Sequence, residues 1–141
     1  MDRKILTSYR HTSYSYTRDF PLMDVLKSLQ TELATFAAER DWDQFHTPKN
    51  LAMALSGEAG ELLERFQWLT PEQSEFNALS SEALQAIEEE MADVLLYLVR
   101  LADRLNVDLG AIAQAKLQLN AEKYPVAEAK GNAVKYSRRG E

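Results

Sequence analysis

Hydrophobic positions recur at three- and four-residue intervals through most of this chain, and that spacing predicts helices rather than strands. Val25, Leu26, Leu29, Leu33, Phe36 and Ala37 form one stripe, which predicts a first helix over about Asp24 to Arg40. After the loop DWDQFH, Thr47 is placed as an N-cap and Pro48 suits the first helical position. A second helix is expected from Pro48 to about Trp68, with Leu51, Leu55, Leu62, Leu63 and Phe66 facing a core. Gly57 and Gly60 fall inside it, each at a cost of roughly 1 kcal/mol relative to alanine. Glycine there marks close helix packing or close approach of a ligand. The polar stretch TPEQSEFNALSS leads to a third helix over about Ser81 to Leu105, ended by Asn106. Its wide apolar face runs through Leu84, Ile87, Met91, Val94, Leu95, Leu98, Leu101 and Leu105. Around Val94 to Leu98 the helix is apolar nearly all round, which predicts burial on several sides and association between copies. A fourth helix over about Asp108 to Lys123 stops before Pro125.

No segment reads as a strand, and no repeat of solenoid length is present. Four helices with short links predict an all-α, four-helix antiparallel bundle. Residues 1–21, where Thr7 to Arg18 are rich in Ser, Tyr, Thr and Arg, read as a flexible N-terminal arm. Residues 22–126 read as the helical domain, and 127–141 as a basic C-terminal tail carrying Lys135, Arg138 and Arg139.

Composition narrows the function. At 141 residues and 45% hydrophobic content the chain suits one domain with a real core. It has no cysteine, so disulfides and thiolate zinc sites are excluded, and a reducing cytoplasm is the expected location. No apolar run approaches the roughly 20 residues needed to span a bilayer, and the start MDRKILTSYRHTSYSY lacks the apolar core of a signal peptide. The net charge of −6 argues against a nucleic-acid polymer as partner. A nucleotide monomer remains admissible, because a metal ion can carry a triphosphate into an acidic pocket.

The acids are where the chemistry lies. Glu58 and Glu61 share one face of the second helix, and Glu90 and Asp93 share one face of the third. Asp93 sits among Met91, Ala92, Val94 and Leu95, where an uncompensated carboxylate is costly. Either pair alone is ordinary on a solvated helix face, as Glu64, Glu88 and Glu89 are taken to be. Two pairs on packed helices concentrate four carboxylates, and a divalent cation relieves the repulsion. With no cysteine, and no histidine on either helix, only hard oxygen ligands are offered, which favours Mg2+ or Mn2+.

The sequence around these pairs, AERDWDQFHTPKNLAMALSGEAGELLERFQW, then EEEMADVLLYLVRLADRLNVDL and KLQLNAEKYPV, resembles the MazG-like all-α nucleotide pyrophosphohydrolases, in their dCTP pyrophosphatase branch. That family carries ExxE followed by ExxD, here Glu58–Glu61 and Glu90–Asp93. The resemblance runs from about Leu22 to Tyr136 and does not cover the arm. It implies a homotetramer (a dimer of dimers) of helical subunits, Mg2+ dependence, and Glu58, Glu61, Glu90 and Asp93 as metal ligands. It also implies a nucleotide pocket drawn from Trp42, His46, Trp68, Tyr97, Lys116 and Asn120. The residue types fit: indoles stack on bases, Tyr97 follows Asp93 by one turn, and Lys116 and Asn120 lie one turn apart with groups suited to phosphate, sugar or base. The same residues also suit plainer roles. Trp42 and Trp68 could be core, His46 an exposed loop side chain, Tyr97 a buried tyrosine, and Lys116 and Asn120 a solvated face.

The expected activity is Mg2+-dependent hydrolysis of dCTP or modified dCTP to the monophosphate and pyrophosphate, a nucleotide-pool sanitation role. Glu61, central among the acids, is the candidate for activating water. The competing readings are a pyrophosphohydrolase of dUTP, dATP or a broader set, and a non-catalytic helical interaction bundle. A di-iron carboxylate bundle fits poorly, since it needs Glu-x-x-His motifs that these helices lack.

Overall fold

The computed structural model describes residues 22–135 and residue 137, so the expected N-terminal arm, Arg138 and Arg139 lie outside the described residues. The described chain is all-helical. Its long helices are α1 (Leu22–Ala38), α2 (Pro48–Glu64), α3 (Ser81–Arg104) and α4 (Leu109–Lys123), followed by a single turn, α5 (Val126–Ala129).

The helix ends follow from local chemistry. The Thr47 hydroxyl accepts from the Asn50 N–H at 3.2 Å at the start of α2. Ser80 caps α3 through the Ala83 N–H at 3.1 Å, and Asp108 caps α4 through the Ala111 N–H at 3.0 Å. Each satisfies an amide that the helix itself leaves without a partner. At the far end of α3, Asn106 takes φ +54° and lets the Val107 N–H return to the Ala102 carbonyl at 2.9 Å. Asp41 does the same after α1 at φ +53°, with the Trp42 N–H bonded to the Ala37 carbonyl at 2.9 Å. This left-handed closure carries Trp42 back over the end of α1.

α2 ends at Glu64, four residues short of the expected Trp68. Its last amides bond in tightened turns, from Arg65 to Leu62 and from Leu69 to Phe66. The connector to α3 is not plain coil but contains two 3-10 turns, Glu72–Ser74 and Phe76–Ala78.

α3 is the spine. α2 packs along it, α1 packs against it, and α4 touches α1. α2 and α3 run antiparallel: Arg65, beyond the end of α2, bonds Glu90, while His46, before its start, bonds Arg100. Among the described residues the buried apolar side chains are Ala37, Leu51, Ile87, Val99 and Ala102. Much of the apolar surface expected inside stays outside the single chain, including Val25, Phe36, Leu63, Met91, Leu95 and Leu98. Periodicity identifies an apolar stripe but not whether the chain or another molecule covers it. Gly57 and Gly60 do not serve close packing within the chain, because a Cβ at either would meet nothing within 4 Å.

Leu51 is 2% exposed and anchors α2 to the core. Leu51→Ala is expected to lower stability by about 2–5 kcal/mol, read as a fall in the urea unfolding midpoint at unchanged slope. A change below about 1 kcal/mol would mean that this small core does not hold α2 in place.

Candidate functional site

Packing α2 against α3 brings Glu58, Glu90 and Asp93 together. Each offers a carboxylate oxygen, and the three oxygens lie within 4.8 Å of one another. Glu90 is buried, Glu58 half-buried and Asp93 exposed, so the cluster opens at one side. Glu61 is on the same face of α2, exposed, and outside this tightest group, yet near enough for its charge to act on Glu58.

A carboxylate 6% exposed, as Glu90 is, needs compensation. Arg65 provides it. Both Nε (3.2 Å) and Nη2 (2.5 Å) donate to the same Glu90 oxygen, Oε1. Glu90 in turn holds the guanidinium firmly protonated. One cation does not neutralise the group. Desolvation, followed by the charges of Glu61, Asp93 and Glu90, raises the Glu58 pKa above its ordinary 4.5. Carboxylates that hinder one another's ionisation in this way suit a divalent cation, and an all-oxygen donor set suits a hard one.

A second polar cluster forms beyond the opposite end of α2. Arg100, on α3, is 4% exposed and spends its donors on three partners. Nη2 bonds Asp43, Nη1 bonds Asp103, and Nε donates to His46 Nδ1 at 3.2 Å. Gln30 of α1 donates to the other Asp103 oxygen at 2.9 Å, and Arg104 lies 3.8 Å from Asp43. The loop from Asp41 to His46 is thereby tied to α3. The Trp42 ring packs edge-on between Phe36 (5.7 Å between centroids) and His46 (6.0 Å). Trp42 is therefore a partly exposed surface indole rather than a core residue.

The other candidate side chains are more scattered. Tyr97 is half-buried on α3, one turn beyond Asp93. Trp68 stands 86% exposed just past α2. Lys116 is exposed and Asn120 half-buried on α4, the helix that touches α1 rather than lying along α2. One chain thus joins three of the four acids tightly and pairs Trp42 with His46, while Trp68 stands beyond the end of α2 and Lys116 and Asn120 lie on α4. Sequence reasoning missed Arg65 and Arg100. Neither has a local signal, because their partners lie 25 and 54 to 57 residues away, Asp103 excepted.

Comparison with known proteins identifies the family. A model of the MazG-like family matches residues 53–138, the segment that carries all four acids. The chain belongs to the MazG-like family. dCTP pyrophosphatase 1 of Bos taurus is 45% identical over 117 residues, spanning 83% of this chain and 68% of that protein. The enzyme of the same name from Homo sapiens is 44% identical, over 83% of this chain and 67% of its own length. The crystal structure of a pyrophosphatase from Archaeoglobus fulgidus superimposes with a TM-score of 0.65 at 40% identity, covering 71% of this chain and 92% of that one. The helical architecture is accordingly that of a MazG-like subunit. No described helix is long and apolar enough to cross a membrane.

The crowding at Glu58 has a testable sign. Its raised pKa means that the fold favours the protonated form, a contribution present below the ordinary 4.5 and lost as pH rises through the folded value. At neutral pH, without metal, Glu58→Gln is therefore expected to raise the thermal midpoint, and the gain should vanish in acid. Added MgCl2 should raise the midpoint of the parent protein more than that of the variant. A metal-free variant that melts below the parent at neutral pH would show that the acids do not repel.

Proposed function

We propose that this MazG-like chain is a nucleoside triphosphate pyrophosphohydrolase that converts dCTP, or base-modified dCTP, to the monophosphate and pyrophosphate. The observation that carries this reading is the convergence of Glu58, Glu90 and Asp93 from two helices, in a chain 44–45% identical to proteins named dCTP pyrophosphatase 1. Mg2+ is the proposed ion and Mn2+ a substitute, held by these three carboxylates with Glu61 as the fourth. Bound there, it supplies charge neutralisation for the phosphate oxygens.

The chain's own groups divide the remaining work. The exposed Glu61 carboxylate takes the proton of the attacking water. The water oxygen bonds to the α-phosphorus, the bond to the bridging oxygen breaks, and pyrophosphate leaves. Asp93, Tyr97 and Arg100 lie at i, i+4 and i+7 on α3, a stripe roughly 10 Å long. It runs from the acids towards Trp42 and His46, so a nucleotide laid along it has phosphates at one end and its base at the other. Trp42 and Trp68 offer ring faces for the base, and the Tyr97 hydroxyl a bond for sugar or phosphate. Lys116 and Asn120 complete the pocket from α4.

The proposed assembly is a homotetramer, supported by the exposed Met53, Leu63, Met91, Leu95 and Leu98. It also provides a route for α4 of one copy to reach the acids of another. Clearing unwanted deoxynucleotides in the cytoplasm is the role that follows.

The chemistry is checked by incubating the protein with dCTP, a base-modified dCTP, dUTP and dATP in Mg2+ and separating the products. dCMP and pyrophosphate are expected from dCTP. Glu90→Gln or Asp93→Asn should slow turnover roughly a hundredfold or more, the loss of several kcal/mol of charge stabilisation. Orthophosphate as the product, or no turnover in any combination, would sink the reading in favour of a different bond cleavage or a non-catalytic bundle. Light scattering checks the assembly: the expected mass is four times the chain's 16.0 kDa, and a monomer at micromolar concentration would refute it.

A further inference from the structure

His46 is held by a bond whose direction is unambiguous. Arg100 Nε carries a hydrogen and has no lone pair to offer, so at 3.2 Å it donates and His46 Nδ1 accepts. An imidazole whose Nδ1 accepts carries its proton on Nε2. Nε2 has no partner among the described residues, and the ring is half-buried against the edge of Trp42. Arg100 is itself fixed: it is 4% exposed, clamped by Asp43 and Asp103, and Asp103 is in turn held by Gln30. The donor therefore cannot turn away without giving up two ion pairs.

We propose that Arg100 is a positioning residue that fixes His46 as the uncharged Nε2–H tautomer, so that the loop before α2 presents a hydrogen-bond donor to an acceptor oxygen of the nucleotide. This deepens the pyrophosphohydrolase reading and rests on it for the identity of the ligand. In the orientation proposed above the oxygen is the base carbonyl, and in the reversed orientation it is a phosphate; in both cases the recognised group is an acceptor. The exocyclic amine of cytosine, a donor, is not what His46 reads.

The charged groups facing the ring reinforce the arrangement. Burial first, then the Arg100 charge, lower the His46 pKa below its ordinary 6.5; Asp43 opposes them and Arg104 adds a smaller push downwards. The fold favours the neutral ring. That contribution is present above 6.5 and is lost as pH falls from there through the folded value. The donor thus keeps its form through mild acidity.

The test begins with long-range 1H–15N spectra of the 15N-labelled full chain. The chain has two histidines, so the spectrum of a His46→Asn variant assigns the signal. A pyridine-type Nδ1, a pyrrole-type Nε2 and a titration midpoint below 6.5 are expected for His46. A protonated Nδ1, or a midpoint at or above 6.5, overturns the proposal. This readout needs no turnover, so it separates failure of the proposal from failure of the dCTP reading.

Two variants test the use of the donor. Arg100→Lys keeps a cation between Asp43 and Asp103 but loses the fork that also reaches His46. It should bring back the second tautomer, move the His46 midpoint upwards and raise KM for dCTP roughly three- to tenfold with a smaller change in kcat. Should that variant fold poorly, His46→Asn serves alone, since its side-chain oxygen keeps an acceptor for Arg100 while the Nε2 donor is gone. Its binding of deoxycytidine and of magnesium pyrophosphate is compared with the parent's. A several-fold loss on deoxycytidine assigns the oxygen to the base, and a loss on pyrophosphate assigns it to a phosphate. Unchanged binding of both overturns the proposal.

Discussion

Glu90 points its charge into the seam between α2 and α3, and the arrangement of that seam depends on how the charge is tolerated. A carboxylate removed from water is costly unless its oxygens are bonded and its charge is met. Arg65 does both for one oxygen, placing two donors on Oε1. The same carboxylate stands beside Glu58 and Asp93, where further negative charge accumulates instead of being dispersed. The packing of α2 against α3, with Leu51 of one and Ile87 of the other buried, helps to hold these groups together against their repulsion. Crowded acids of this kind carry a local electrostatic cost, which the proposed cation would relieve.

The two polar clusters on α3 are near mirror images in logic. At one end an arginine from beyond α2 reaches in to satisfy a buried acid of α3. At the other, a buried arginine of α3 reaches out to an acid and a histidine of the loop before α2. Each fixes one end of α2 against α3, so the register of the two helices is set by charge as well as by apolar packing. A slide by one turn would separate Glu58 from Asp93 and leave Arg100 without Asp43. Buried ion pairs add little net stability, but breaking one is expensive, which makes them effective at excluding wrong registers.

Much of this was legible in the sequence. Thr47 with Pro48, Asn106 and the apolar stripes located the long helices to within a few residues, because caps and periodicity are local properties. The two acid pairs were legible for the same reason: a spacing of three on a helix fixes a shared face. The convergence of Glu58 with Glu90 and Asp93 followed once α2 and α3 were taken as neighbours. Arg65 and Arg100 were not legible. A basic residue on a helical stretch looks the same whether it meets solvent or an acid dozens of residues away. The early end of α2 was also hidden, since Leu63, Phe66 and Leu69 continue an apolar pattern through turns that are no longer α-helical.

α4 shows most directly what a single chain leaves unfinished. Its apolar residues Leu109, Ile112, Leu117 and Leu119 are not confined to one side, and among the described residues none of α4 is fully buried. A helix apolar on several sides is stable in water only when several sides are covered, and here α1 covers one. The same helix carries Lys116 and Asn120, and it packs chiefly against α1 rather than against the helices that bear the acids. Both facts have one physical solution. If the exposed faces of α3 and α4 are covered by neighbouring copies, apolar surface leaves water as cations and amides arrive near the carboxylates proposed to hold the metal. Under the proposed assembly the pocket is a property of the oligomer, and hydrophobic burial between copies supplies the free energy that holds polar pocket residues in place.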